Sequence, residues 1–194
     1  MYLHKDDKEL LRDIIVTVSE RTGIDESIVE KDYYVTMILK ELVQRNPNVV
    51  FKGGTSLSKA YHAIDRFSED IDITFDEHIG EARRKKLKHV VLKGISEELC
   101  MPISNWNDTE SDKDYNAYLF TYQSVWKIEG DRMSPSVKLE TALGSYAFPT
   151  KIVPINSYIG DYFIKKEEKI ISIITNQNKN QLNLHVSERF KILL

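Results

Sequence analysis

Asp70 and Asp72 stand one residue apart in Asp70-Ile71-Asp72-Ile73-Thr74-Phe75-Asp76, where polar and apolar residues alternate strictly. A period of two puts Ile71, Ile73 and Phe75 on one side of a strand and Asp70, Asp72, Thr74 and Asp76 on the other. Carboxylates about 5 Å apart repel by about 3 kcal/mol at an effective dielectric near 20, so something has to compensate them. Hard oxygen ligands suit magnesium, an ion that shares its shell with substrate phosphates. Upstream, Gly53-Gly54-Thr55 follows the apolar run Val49-Val50-Phe51 and precedes a helix-like stretch from Ser56. Paired glycines let the backbone turn without a Cβ in the way, and Thr55 takes the place of a helix N-cap. The free N–H groups of such a helix end attract anions. Together the two segments read as a phosphate cradle followed by a metal site.

A third carboxylate lies far along the chain. In Ser136-Val137-Lys138-Leu139-Glu140-Thr141, Val137, Leu139 and Thr141 alternate with Lys138 and Glu140. If the apolar set faces the core, a cation and a carboxylate share the other face. Asp70, Asp72 and Glu140 then form a three-carboxylate set for Mg2+, with Asp70 and Asp72 as bridging ligands. Glu140 would complete the set and assist deprotonation of an acceptor, and Lys138 would neutralise phosphate charge. Gly53, Gly54 and Thr55 would hold phosphates. Arg66 and Ser68 are candidates for substrate contact, or equally for an ion pair and a turn hydrogen bond that shape their loop.

The elements that must position these residues follow from periodicity. Leu10, Leu11, Ile14, Ile15 and Val18 predict an amphipathic helix over 5–20, closed near Gly23. A second helix is predicted from Asp25, with Ile28, Tyr33, Tyr34, Met37, Ile38 and Leu42 as its apolar stripe and Asn46-Pro47 as its stop. Strands are expected at 48–52, 118–125, 135–143 and 151–155, and a helix over 80–99. That helix carries Arg83, Arg84, Lys85, Lys86, Lys88 and Lys93, a solvated face or a local nucleic-acid contact. Residues 104–116 read as an exposed loop. Beyond 155 the chain reads as helix, then the polar break 176–181, a short strand at 182–186, and the start of another helix at 187–194.

Composition bounds the chemistry. A chain of 194 residues with 41% hydrophobic content can bury one main domain with an appendage. The net charge of −3 excludes an indiscriminate polycationic nucleic-acid binder. One cysteine, Cys100, excludes an internal disulfide framework and any multi-cysteine zinc site. No apolar run approaches membrane-spanning length, so a cytoplasmic setting without membrane contact is expected. The five histidines lack zinc-ligand spacing, Lys59 is misplaced for a P-loop and reads as a surface residue, and Gly144-Ser145 lacks the context of a serine hydrolase.

The order of these motifs carries a resemblance. Gly53-Gly54-Thr55 followed by Arg66-Phe67-Ser68-Glu69-Asp70-Ile71-Asp72 resembles the first motif of the AbiEii/AbiGii toxin family of nucleotidyltransferases, within the polymerase-β-like superfamily. Lys138-Leu139-Glu140 resembles the second motif, and Glu30-Lys31-Asp32-Tyr33-Tyr34 is similar to the family's N-terminal helix. The resemblance spans roughly 28–159. It implies an α+β, polymerase-β-like fold with a small mixed sheet flanked by helices. The catalytic lobe would occupy 1–160, including two N-terminal helices over 1–46, and 161–194 would connect to a helical C-terminal lobe. It further implies a nucleoside triphosphate, Mg2+, an acceptor such as tRNA or another RNA, a cognate antitoxin, and a toxin–antitoxin or abortive-infection role. The family's third and fourth motifs belong to the C-terminal lobe, and Ser187-Glu188-Arg189-Phe190 resembles a shortened lead-in to it. The expectation is a chain lacking most of that lobe, its apolar end at Ile192-Leu193-Leu194 left without a partner. The alternatives are a catalytically incomplete relative acting as a binding module and a polymerase-β-like enzyme with another acceptor.

Overall fold

The computed structural model describes residues 2–61, 68–126, 135–146, 149–174 and 188–193. The helix predicted over 5–20 is two pieces, a single turn α1 (Leu3–Asp6) and α2 (Lys8–Thr22). Asp7 separates them because its carboxylate accepts from the Leu10 N–H at 2.9 Å and caps α2. Gly23, at φ 75°, ends α2 in the left-handed conformation that side chains disfavour. Asp25 caps α3 (Glu26–Arg45), which stops at Asn46 as the sequence predicts. Its buried surface is wider than the expected stripe. Val29, Tyr33, Tyr34, Val35, Ile38, Leu39 and Leu42 are buried, and so are Glu30, Lys31 and Asp32, while Ile28 and Met37 are only half-buried.

The sheet is mixed, with six strands in the order β3-β4-β2-β1-β6-β5. β1 (Val49–Lys52) runs antiparallel to β2 (Ile71–Phe75), and β2 runs parallel to β4 (Ser136–Tyr146). β3 (Tyr115–Thr121) is antiparallel to β4, and β5 (Thr150–Ile155) to β6 (Glu188–Leu193). Helix α4 (Gly53–Tyr61) leaves β1 directly. The predicted helix over 80–99 is a continuous rod: α5 (Glu81–Lys86), a π-helical stretch (Leu87–Leu92) and α6 (Lys93–Glu98). α7 (Tyr158–Ile174) follows β5. The α+β class and the small mixed sheet flanked by helices are therefore as expected. No helix among the described residues is long and apolar enough to cross a membrane.

One face of the sheet supplies the core. Phe51, Ile71, Ile73, Val137 and Leu139 are fully buried against α2, α3 and the 81–98 rod in one cluster. Each such side chain contributes about 1.5–3 kcal/mol. Because side chains alternate, a one-residue slip would bury Asp72 and Glu140 in their place, so the core itself sets the register of the carboxylates.

Three expectations change. Residues 187–194 were expected to begin a helix, yet 188–193 form β6, between β1 and β5 and hence inside the sheet. Ile192 is registered with Phe51 of β1 and Lys151 of β5, so its backbone is paired on both sides. The sheet thus reaches across the division placed at 160, since a strand from the expected connecting segment completes it. The strand expected at 118–125 runs instead from 115 to 121. Beyond it, Glu30 accepts from Ser124 Oγ and the Val125 N–H, both at 2.7 Å, and draws the chain away from β4. The short strand expected at 182–186 and the polar break before it lie outside the described residues.

Candidate active site

β1, β2 and β4 place the predicted residues side by side. Lys52 is registered with Asp72, and Asp72 with Glu140, so the three form one row across three strands on the face opposite the core. Asp70 lies just before β2. Lys138 Nζ lies 2.8 Å from Asp70 Oδ2 and 2.8 Å from Glu140 Oε1, so carboxylates from two segments converge on a single positive charge. Tyr115 of β3 donates its hydroxyl to Glu140 Oε1 at 2.9 Å.

Asp72 and Glu140 are direct partners in the register of β2 and β4, so their carboxyls interact. Burial, then the bond to Glu140 and its charge, push the Asp72 carboxyl up to about 6, with Lys52 opposing. Glu140 is held below the usual carboxylate range, chiefly by its hydrogen bond from Lys138. Those same contacts, Asp70 first, raise the Lys138 ammonium. Of the two carboxyls, Asp72 therefore holds a proton to the higher pH and Glu140 ionises first.

The cradle differs from its predicted form in one respect. Helix α4 begins at Gly53 itself, so Thr55 is not an N-cap but a fully buried residue of the first turn. Its Oγ1 donates to the carbonyl of Asp70 and lies 2.8 Å from Ser68 Oγ. The Thr55 hydroxyl expected at phosphates, and the Ser68 hydroxyl expected at substrate or in a loop-shaping hydrogen bond, thus pin the backbone that carries Asp70. Gly53 is required twice over. Its φ is 76°, and a Cβ there would stand 2.0 Å from Asp72 Oδ2. The Asp72 carboxylate therefore packs directly on the turn between β1 and α4. Arg66 lies outside the described residues.

The supports behind this face come from Lys31 and Asp32, within the segment similar to the family's N-terminal helix, and from Lys59. Lys31 of α3, buried, pairs with Glu69, the residue next to Asp70. Asp32 pairs with Lys59 of α4 and accepts from the Tyr158 N–H at 2.8 Å. Lys59, read as a surface residue, also donates to Thr36 Oγ1 at 3.1 Å and to the Asn156 carbonyl at 3.2 Å. Its side chain is 8% exposed. Sequence reasoning missed Lys52 and Tyr115. Lys52 closes an apolar strand and Tyr115 was assigned to a loop, so only strand register brings them to Asp72 and Glu140. The basic helix is mostly engaged elsewhere: Arg83 pairs with Glu77, Arg84 with Asp114 and Lys85 with Glu81. Lys88 is buried and donates to the carbonyls of Trp106 and Thr109.

Residues 38–173 match the family model described as nucleotidyl transferase AbiEii toxin, type IV toxin–antitoxin system. The chain belongs to the AbiEii family. The matched span holds every strand of the row, the cradle and the residues around Lys138, and it omits α2, most of α3 and β6. Membership brings with it, in general terms, a nucleotide substrate and a cognate antitoxin. No curated protein and no solved structure matches the chain.

The AbiEii site is suited in donor type to a hard divalent cation, because Asp70, Asp72 and Glu140 offer only carboxylate oxygen. Convergence of Asp70 and Glu140 on one ammonium places two of the three around a common centre of positive charge. Among the described residues, no three His, Cys, Asp or Glu side chains are already grouped as a metal cage.

Proposed function

We propose that this AbiEii protein is a magnesium-dependent toxin nucleotidyl transferase that moves a nucleotide from a nucleoside triphosphate to an RNA acceptor such as tRNA, in the cytoplasm. The observation that carries the reading is the row Lys52, Asp72 and Glu140, closed on one side by Lys138 and floored by Gly53. Asp70, Asp72 and Glu140 would hold the metal. Bound Mg2+ would supply charge neutralisation at the phosphates undergoing displacement. Glu140, oriented by Tyr115 and Lys138, would accept a proton from an acceptor hydroxyl. Asp72, which holds a proton to higher pH than Glu140 does, would act as a ligand in its ionised form. Lys138 keeps the flanking carboxylates from repelling one another.

The test is transfer of labelled nucleoside triphosphate to total RNA in the presence of Mg2+, comparing the protein with Asp72→Ala. Label is expected on RNA of tRNA size and is expected to be lost in the variant. Transfer that survives Asp72→Ala would refute the assigned site. Label on another acceptor would keep the chemistry and change the substrate.

A further inference from the structure

The cations near the cradle are not equivalent. Lys138 is held between Asp70 and Glu140, and Lys59 is buried against Asp32. Lys52 makes no ion pair among the described residues, although it is half-buried and registered opposite Asp72. It is also the last residue of β1, so it adjoins Gly53 and the turn on which the Asp72 carboxylate packs. A polyphosphate approaching this face meets Asp70, Asp72 and Glu140, and the Lys138 ammonium between them is already shared by two carboxylates. Mg2+ held by the carboxylates would offset part of this repulsion, and a cation at the edge of the row would offset more of the phosphate charge. A lysine acts on phosphate as a compact point charge, and partial burial strengthens its field by limiting solvent screening.

We propose that Lys52 is the residue that takes up the phosphate charge of the nucleotide, while Lys138 holds the carboxylates in place. The assignment rests on the nucleotidyl transferase reading and makes Lys52 a determinant of triphosphate affinity.

The experiment is equilibrium binding of fluorescently labelled ATP, CTP, GTP and UTP to the full chain in Mg2+, with Lys52→Met and Lys52→Arg, and an unfolding midpoint measured for each. Loss of a charge-assisted contact is expected to weaken triphosphate binding by about tenfold or more in Lys52→Met, with its unfolding midpoint unchanged. Lys52→Arg is expected to stay close to the unaltered protein. The salt dependence of binding should flatten in the Met variant alone, which a merely structural role would not produce. Equal affinity of Lys52→Met and the unaltered protein would overturn the assignment of Lys52 and leave the transferase reading standing. Equal losses in the Met and Arg variants would overturn it too, since charge would then not be what matters. No binding of any triphosphate by the unaltered protein would overturn the transferase reading itself, and Lys52 with it.

Discussion

Breaking the ion pair between Asp32 and Lys59 is expected to cost far more than breaking any surface pair in this protein. The two side chains are 2% and 8% exposed, so neither charge can recover its hydration when the other is removed. Truncating one partner of such a pair typically costs about 3–5 kcal/mol, because a charge is left buried without compensation. Asp32→Leu falls at the upper end of that range, since the Tyr158 N–H also loses its acceptor. Lys59→Met falls lower. Burial already raises the Asp32 carboxyl against the pull of Lys59, so without that lysine Asp32 escapes much of the penalty by taking a proton. The double variant leaves no buried charge, and its remaining cost is the lost partners of the Tyr158 N–H and the Asn156 carbonyl, about 1–3 kcal/mol each. Urea unfolding with an unchanged m value gives all three free energies, and the cycle gives the coupling, expected to be at least about 2 kcal/mol. Single variants that each cost less than about 1 kcal/mol, or effects that simply add, would refute the idea that α3 clamps the cradle helix through this pair.

Gly53→Ala is expected to abolish nucleotide transfer and to lower stability by about 1–2 kcal/mol or more. The left-handed backbone opposes any side chain, and the new Cβ would displace the Asp72 carboxylate; transfer assays and urea midpoints read the two losses separately. Burial of His4, with Nδ1 near Tyr33 Oη and Nε2 near the Leu99 carbonyl, holds its pKa below the ordinary value. The unfolded chain therefore binds the extra proton first as pH falls below about 6.5, and stability drops with it by at most about 1.4 kcal/mol per pH unit. Urea midpoints between about pH 7.5 and 5.5 should fall more steeply for the unaltered protein than for His4→Gln.

The chemistry-bearing strands were legible because their information is local. Alternation over 70–76 and 136–141 sorts carboxylates from core residues without knowledge of any partner, and the structure buries Ile71, Ile73, Val137 and Leu139 accordingly. The start of α4 was legible only in part. Two glycines announce a turn, but which of them takes φ 76° depends on how closely Asp72 approaches from β2. The last strand was misread for a different reason. In Glu188-Arg189-Phe190-Lys191-Ile192-Leu193, Phe190 and Ile192 fit a period of two while Phe190 and Leu193 fit a helical turn, and six residues cannot decide between them. Pairing with β1 and β5 decides it, and that pairing joins residues more than 130 positions apart along the chain in the case of β1.

The harder case is Glu30-Lys31-Asp32. Three consecutive charged residues near the start of a helix look like a solvated face, because in isolation nothing would be gained by burying them. They are buried here because each has its own partner at long range: Glu30 holds Ser124 and Val125, Lys31 holds Glu69, and Asp32 holds Lys59 and the Tyr158 N–H. Those partners lie after β3, next to Asp70, on α4 and at the start of α7. One turn of α3 therefore ties together the segments that carry the cradle, the first carboxylate and the helix beyond β5. A buried charge is tolerated only with its partner in place, so each of these contacts rejects arrangements in which the segment has shifted. Hydrophobic burial alone would accept small slides of α4 or of residues 68–70 with little penalty. The row of Lys52, Asp72 and Glu140 needs its neighbours fixed more closely than that, and it is the charged turn of α3 that supplies the constraint.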